Sequence, residues 1–133
     1  KLNQGLYKMA TTTGSNAQSA AATAYGTYYA NGSLVIYSGT QPANAKSSLA
    51  GNAALATHTL AGFTELNGTI TANIIASETI VSTGTATFAR ILLGGDSEWQ
   101  GTIGAEITIT PDADYVTGGT SNVTSLTMTV PDA

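Results

Sequence analysis

Thr85-Ala86-Thr87-Phe88-Ala89-Arg90-Ile91-Leu92, then Gly94-Gly95-Asp96, then Glu98-Trp99-Gln100-Gly101-Thr102-Ile103 is the stretch that decides the fold. Two runs of alternating character flank a glycine-rich segment, the pattern of two antiparallel strands joined by a hairpin. Working outward, the same period of two recurs. Leu34-Val35-Ile36-Tyr37 reads as a short central strand ended by Ser38-Gly39, and Ala56-Thr57-His58-Thr59-Leu60 follows after a loop. Thr69-Ile70-Thr71-Ala72-Asn73-Ile74 alternates cleanly, and Ile107-Thr108-Ile109-Thr110 stops at Pro111. Ser125-Leu126-Thr127-Met128-Thr129-Val130 sets Leu126, Met128 and Val130 on one face and hydroxyls on the other. About seven such strands predict a mainly β fold, an antiparallel β-sandwich or Greek-key barrel.

The period differs only before Asn31-Gly32. Ala17, Ala21, Ala24, Tyr25 and Tyr28 recur at helical spacing and give one apolar face. Ser15 or Asn16 is placed to cap the first turn, and Gly32 to stop the last through left-handed dihedrals. The chain therefore divides into an extended N-terminal arm, 1–14, anchored by Leu6, Tyr7 and Met9, and one β-rich domain, 15–133, that opens with a helix over about 15–31.

Composition narrows the class. Charged residues make up 9% of the chain, against about 25% in ordinary soluble domains, and about one residue in six is threonine. The surface must be hydrated by hydroxyls and amides, a character that suits subunits packed edge to edge in an extracellular or virion lattice. Four basic residues (Lys1, Lys8, Lys46, Arg90) and a pI near 4.5 argue against nucleic acid as a partner. No apolar run approaches the roughly 20 residues that span a bilayer, and the absence of cysteine removes disulfides and thiolate metal sites.

Two segments together resemble a widespread family of small bacteriophage virion proteins. The first is Leu34-Val35-Ile36-Tyr37-Ser38-Gly39-Thr40-Gln41-Pro42-Ala43, continuing to Leu55-Ala56-Thr57; the second is Gly84-Thr85-Ala86-Thr87-Phe88-Ala89-Arg90-Ile91. The family pattern is a strand ending in Tyr-(Ser/Thr)-Gly-Thr-Gln-Pro-Ala, a loop of small residues and a Leu-Ala-Thr strand. The likeness covers roughly residues 15–131, departing at the short Gly94-Gly95-Asp96 hairpin and at Ala105-Glu106. It implies a virion structural protein. Read on its own physics, the Gly39–Ala43 element is a structural turn: Pro42 fixes φ, removes a donor and forces Gln41 to be extended.

Chemistry-bearing residues are sparse. His58, the one histidine, alternates with Thr57 and Thr59 and reads as an exposed or interface strand residue, without Ser-His-Asp or His-x-x-x-His spacing. Arg90 shares parity with Phe88 and Ala86 and reads as snorkelling or paired with a carboxylate such as Glu78 or Glu98. Asp112-Ala113-Asp114 reads as an acidic turn rather than a Ca²⁺ loop. Trp99 reads as a core or interface aromatic, with a sugar-stacking platform as the sharper alternative. Tyr25, Tyr28 and Tyr29 form the best candidate contact surface; core packing of Tyr25 and Tyr28 with Tyr29 outside fits equally well. No catalytic, metal or cofactor constellation stands out.

The expectation is a non-enzymatic bacteriophage virion protein, most of all a capsid decoration or cement subunit. It would contact itself and other virion proteins, the major capsid protein first, as a homo-oligomer and through Leu6, Tyr7, Met9, Tyr28, Tyr29 and Trp99. A phage tail or fibre component, or a secreted fimbrial, pilus or S-layer subunit at the bacterial cell surface, are the alternatives. A carbohydrate-binding module on Trp99 is a third class.

Overall fold

Two antiparallel five-stranded sheets pack face to face in a computed structural model that describes residues 15–110 and 112–129. Helix α1 (Ser15–Tyr29) leads into β1 (Ser33–Ser38) and β2 (Ala54–Thr59). A tight hairpin follows, β3 (Phe63–Leu66) and β4 (Thr69–Ala72), then β5 (Glu78–Thr79). The long strand β6 (Gly84–Leu93) turns into β7 (Asp96–Thr102). β8 (Ile107–Thr110), β9 (Asp114–Tyr115) and the long β10 (Thr120–Thr129) complete the chain. One sheet has the order β2-β1-β6-β7 with β9 also beside β6; the other runs β3-β4-β10-β5 with β8 also beside β10.

The sandwich expectation holds, whereas the barrel alternative does not: the described strands form two separate sheets and no closed barrel. Ten strands replace the expected seven, because β5 and β9 add short pairings to the long spines β10 and β6, and β3 pairs with β4. The expected strand at 69–74 ends at Ala72, while that at 125–130 begins already at Thr120. Pro111, Val130 and the arm anchors Leu6, Tyr7 and Met9 lie outside the described residues.

The core follows from strand alternation. Leu34 and Ile36 of β1, Ala89 and Ile91 of β6, Ile107 and Ile109 of β8, and Val123 and Leu126 of β10 meet between the sheets, with Tyr115 and Leu60 closing the ends. Each fully buried Leu or Ile contributes about 1.5–3 kcal/mol. β6 carries a bulge: Tyr37 pairs with Phe88 but Ser38 with Ala86, leaving Thr87 unopposed. The extra residue flips parity, so Ala86 enters the main core while Phe88 joins Val35 and Tyr37 in a small cluster on the opposite face.

Helix α1 packs on β3 and β4 through Ala22, Gly26 and Tyr29. Gly26 permits a close approach, since a Cβ there would stand 3.3 Å from Phe63 Cβ. The apolar stripe of the sequence, Ala17, Ala21, Ala24, Tyr25 and Tyr28, is not the packed face and instead looks outward. The helix ends at Tyr29, two residues earlier than expected. Asn31, at φ 68°, supplies the left-handed turn assigned by the sequence to Gly32. Gly32 is needed for space: a Cβ there would lie 2.9 Å from both Ile91 and Leu93. Asn16 lies inside the first turn rather than capping it.

Trp99 folds over its own neighbour Gly101, whose missing Cβ leaves room for the indole; an added Cβ would sit 2.7 Å from Trp99 Cζ2. Gly101→Ala is expected to lower stability by about 1–3 kcal/mol, the usual cost of overpacking, and to shift Trp99 fluorescence in a urea titration. An unchanged unfolding midpoint would show that the indole finds another rotamer without loss.

Candidate interaction surfaces

Four features carry the polar and exposed chemistry. The first is a strap. After Gly39 (φ 84°) the chain leaves β1 and crosses the outer face of the first sheet over residues 39–53, covering Val35, Tyr37 and Phe88. Its carbonyls are held by outward side chains of β6 and β7. Arg90 Nη2 donates to Ser47 O at 2.7 Å and Asn44 O at 3.3 Å, while its Nε donates to Gln100 Oε1 at 3.2 Å. Gln100 Nε2 donates to Pro42 O at 2.7 Å, and Thr102 Oγ1 to Gln41 Oε1 at 2.9 Å. The bulge residue Thr87 donates to Gly39 O at 2.6 Å. Lys46 Nζ pairs with Glu98 at 2.7 Å, the ion pair found among the described residues.

Arg90 therefore pairs with carbonyls and an amide, not with Glu78 or Glu98 as the sequence suggested. It is 5% exposed, with its guanidinium 6.0 Å from the Phe88 ring centroid. A planar fork of fixed donors suits several carbonyls at once; a lysine ammonium does not. Arg90→Lys is expected to cost about 1.5–3 kcal/mol, the value of a hydrogen bond to a charged group. It should also make the strap a site of protease cleavage below the global melting temperature; resistance equal to the parent would refute the strap's dependence on the fork.

The second feature is a buried polar chain. His58 is fully buried rather than exposed or at an interface, because β2 turns it with Ala56 away from water. Its Nδ1 lies 2.9 Å from Ala76 O, so that nitrogen carries the proton and donates. Nε2 then accepts from Ser121 Oγ at 2.8 Å, and Ser121 accepts from Tyr115 OH at 2.6 Å. Burial pushes the Tyr115 phenol above its ordinary value, against a smaller lowering by the Ser121 bond. The serine and histidine sit in hydrogen-bond order, but both are closed to solvent, so the chain ties β2, β10 and the 73–77 loop together. Ser121→Ala leaves two buried groups unpaired and is expected to cost about 2–4 kcal/mol. In a double-mutant cycle with Tyr115→Phe the two losses should not add; strict additivity would show that the chain is not one unit.

The third feature is the outward stripe of α1. Tyr25 and Tyr28 are 49% and 57% exposed, whereas Tyr29 is 6% exposed, the reverse of the core alternative read from the sequence. Tyr29 stacks on Tyr25 with centroids 6.2 Å apart and meets Tyr28 edge-on at 5.5 Å. Its hydroxyl donates to Glu98 O at 3.3 Å, and burial, followed by the neighbouring Tyr25, Glu98 and Tyr28, raises its pKa. Ala21, Ala24 and the three tyrosines line an open apolar depression of about 470 Å³. Tyr28 is thus exposed, while Tyr29 braces it from below.

The fourth is the outer face of the second sheet. Thr64, Thr71 and Thr127 lie in one cross-strand row, and Leu66, Thr69 and Thr129 in the next. Thr69 and Thr129 share a hydroxyl bond at 3.1 Å. This face offers methyls and hydroxyls without charge. Trp99, by contrast, is partly buried against the main core. Gln100 points to the opposite face, where its amide is bonded to Arg90 and Pro42, yet both residues line one open depression of about 510 Å³ together with Gln41, Thr102, Glu106 and Met128.

Asp112 is exposed just before β9 and Asp114 is exposed at its first position, and among the described residues no group of three acidic, His or Cys side chains is placed to hold a metal. No helix of the described residues is long and apolar enough to cross a membrane. Comparison with protein-family models, curated proteins and solved structures returned no match.

Proposed function

We propose that this chain is a bacteriophage virion structural protein, a non-enzymatic capsid decoration subunit that works through repeated contacts with itself and with the major capsid protein. The observation that carries the reading is the outward apolar stripe of α1: a helix without a charged residue keeps its wider apolar face in water, with Tyr25 and Tyr28 about half exposed. An isolated domain gains nothing from that arrangement, while an assembled one does. The setting comes from the likeness of Tyr37-Ser38-Gly39-Thr40-Gln41-Pro42-Ala43 and Gly84–Ile91 to phage virion proteins. The charge-poor threonine surface supports the same reading, since it docks without paying to bury ions. A stable interface buries about 800 Å² per partner, a large share of so small a surface, so repeated weak contacts are the natural mode.

Cryo-electron microscopy of the phage particles that carry this chain is expected to show its density in repeated copies on the capsid shell. Density confined to a tail would overturn decoration, and a filament without a capsid would overturn the virion reading.

A further inference from the structure

The outward face of α1 is complementary to itself when reversed. Its small residues, Ala17, Ala20, Ala21 and Ala24, occupy the N-terminal part, and its two exposed knobs, Tyr25 and Tyr28, the C-terminal part. Laid antiparallel on a second copy about a two-fold axis, Tyr28 falls opposite Ala17, Tyr25 opposite Ala20, and Ala21 opposite Ala24. Each aromatic then meets a shallow alanine surface, and both ends of the contact are identical, as an isologous interface requires. A parallel pairing would instead set tyrosine on tyrosine and leave the alanines facing a gap. We propose that two copies of this chain associate through this antiparallel α1–α1 contact.

Three further observations favour a second copy over another occupant. The helix carries no charge from Ser15 to Tyr29, so two acidic chains of net charge −4 meet where neither repels the other, and a charged partner finds nothing to pair with. Tyr25 and Tyr28 are already ordered against Tyr29, by stacking and by an edge contact, so little freedom is lost on docking. Close approach is open as well, because alanine-lined helices pack with axes about 8 Å apart. The contact is small: fifteen residues of helix are about 22 Å long, and covering the exposed halves of four tyrosines falls short of the roughly 1,200 Å² of a standard interface. Pairing in solution is therefore weak, on the order of 0.1–1 mM, and is consolidated where many copies are held close. The inference rests on the repeated-contact reading above for its setting and names the partner and the geometry.

Because the chain has no cysteine, introduced thiols report the geometry alone. Ala17→Cys and Tyr28→Cys variants, mixed in a glutathione redox buffer, are expected to give the mixed disulfide dimer in clear excess over either homodimer. Sedimentation of the parent to about 1 mM should show a concentration-dependent dimer that Ala24→Arg weakens at least tenfold, with circular dichroism and Trp99 fluorescence unchanged. Disulfides between like positions would mean parallel pairing and overturn the proposal. A parent that stays monomeric, or a dimer indifferent to Ala24→Arg, would do the same. So would deletion of residues 1–14 that newly exposes Tyr28 to tetranitromethane, since the arm would then be the occupant. If the parent is monomeric yet Ala24→Arg abolishes its binding to shells, the face belongs to another virion protein: pairing fails while the virion reading survives.

Discussion

Strand β6 has to serve two apolar faces at once, and the rest of the molecule is arranged around that demand. On one side Ala89 and Ile91 enter the core between the sheets; on the other Phe88 stacks on Tyr37 with centroids 5.2 Å apart and needs cover of its own. An outer face with a second apolar cluster is not stable bare in water. The 39–53 strap supplies the cover, but a strap is backbone, and its carbonyls need donors. Arg90 provides them from the middle of the same strand. The guanidinium donates through Nε and Nη2 to Gln100, Asn44 and Ser47 rather than to a carboxylate, so carbonyl dipoles offset part of the cost of burying it. Thr87, extruded at the bulge, fastens the start of the strap to Gly39. One strand thus sets the core, the small outer cluster and the path of the Gly39–Ala43 motif.

A second constraint governs the helix. Gly26 lets α1 lie directly on Phe63 and Ile70, and that close contact decides which face is buried. Packing distance outweighs apolar area here: the narrow Ala22–Gly26–Tyr29 strip fits the sheet, while the broader alanine–tyrosine stripe does not and is left outside. This is why the most regular helical pattern in the sequence marks a surface and not the core.

Much of the fold was legible in the sequence, because alternation survives wherever a strand has one wet and one dry face. β8, with Ile107 and Ile109 buried and Thr108 and Thr110 exposed, lies where the sequence places it for that reason, and β1 and β6, apolar on both faces, and β7 also fall within two residues of their sequence positions. What was missed shares a physical cause. β3 puts Leu66 outside at 71% exposed, so its hydrophobicity misleads, yet the Asn67-Gly68 turn, at φ 51° and 85°, is a hairpin signal that was available. β5 and β9 have two residues each and exist only because long neighbours offer them a ladder. His58 looked polar and therefore exposed, but its partners Ala76 and Ser121 lie 18 and 63 residues away, beyond any local pattern. Arg90 was placed on the right face and given the wrong partner, since backbone carbonyls of a folded loop leave no trace in sequence. Of the candidate contact surface, tyrosine identity was readable, but which tyrosine faces out depended on Gly26.

The scarcity of charge raises a last question: how the sheet edges avoid indiscriminate pairing without the lysines that usually blunt them. On β7 the answer is side-chain capping. Thr102 N–H, turned away from β6, donates to Glu106 Oε1 at 2.9 Å, and Glu98 C=O on the same free side accepts from Tyr29 OH. Two of the edge groups that another strand would need are thus taken, and Lys46 stands in front of Glu98. At the other end of the sheet, Leu55 O of β2 is taken by Val81 N at 2.8 Å. With these edge positions closed from within, the surfaces left for the proposed contacts are faces: the tyrosine stripe of α1 and the threonine rows of the second sheet. Faces read shape, whereas open edges accept any strand, so such contacts would be made specific by geometry rather than by ion pairing.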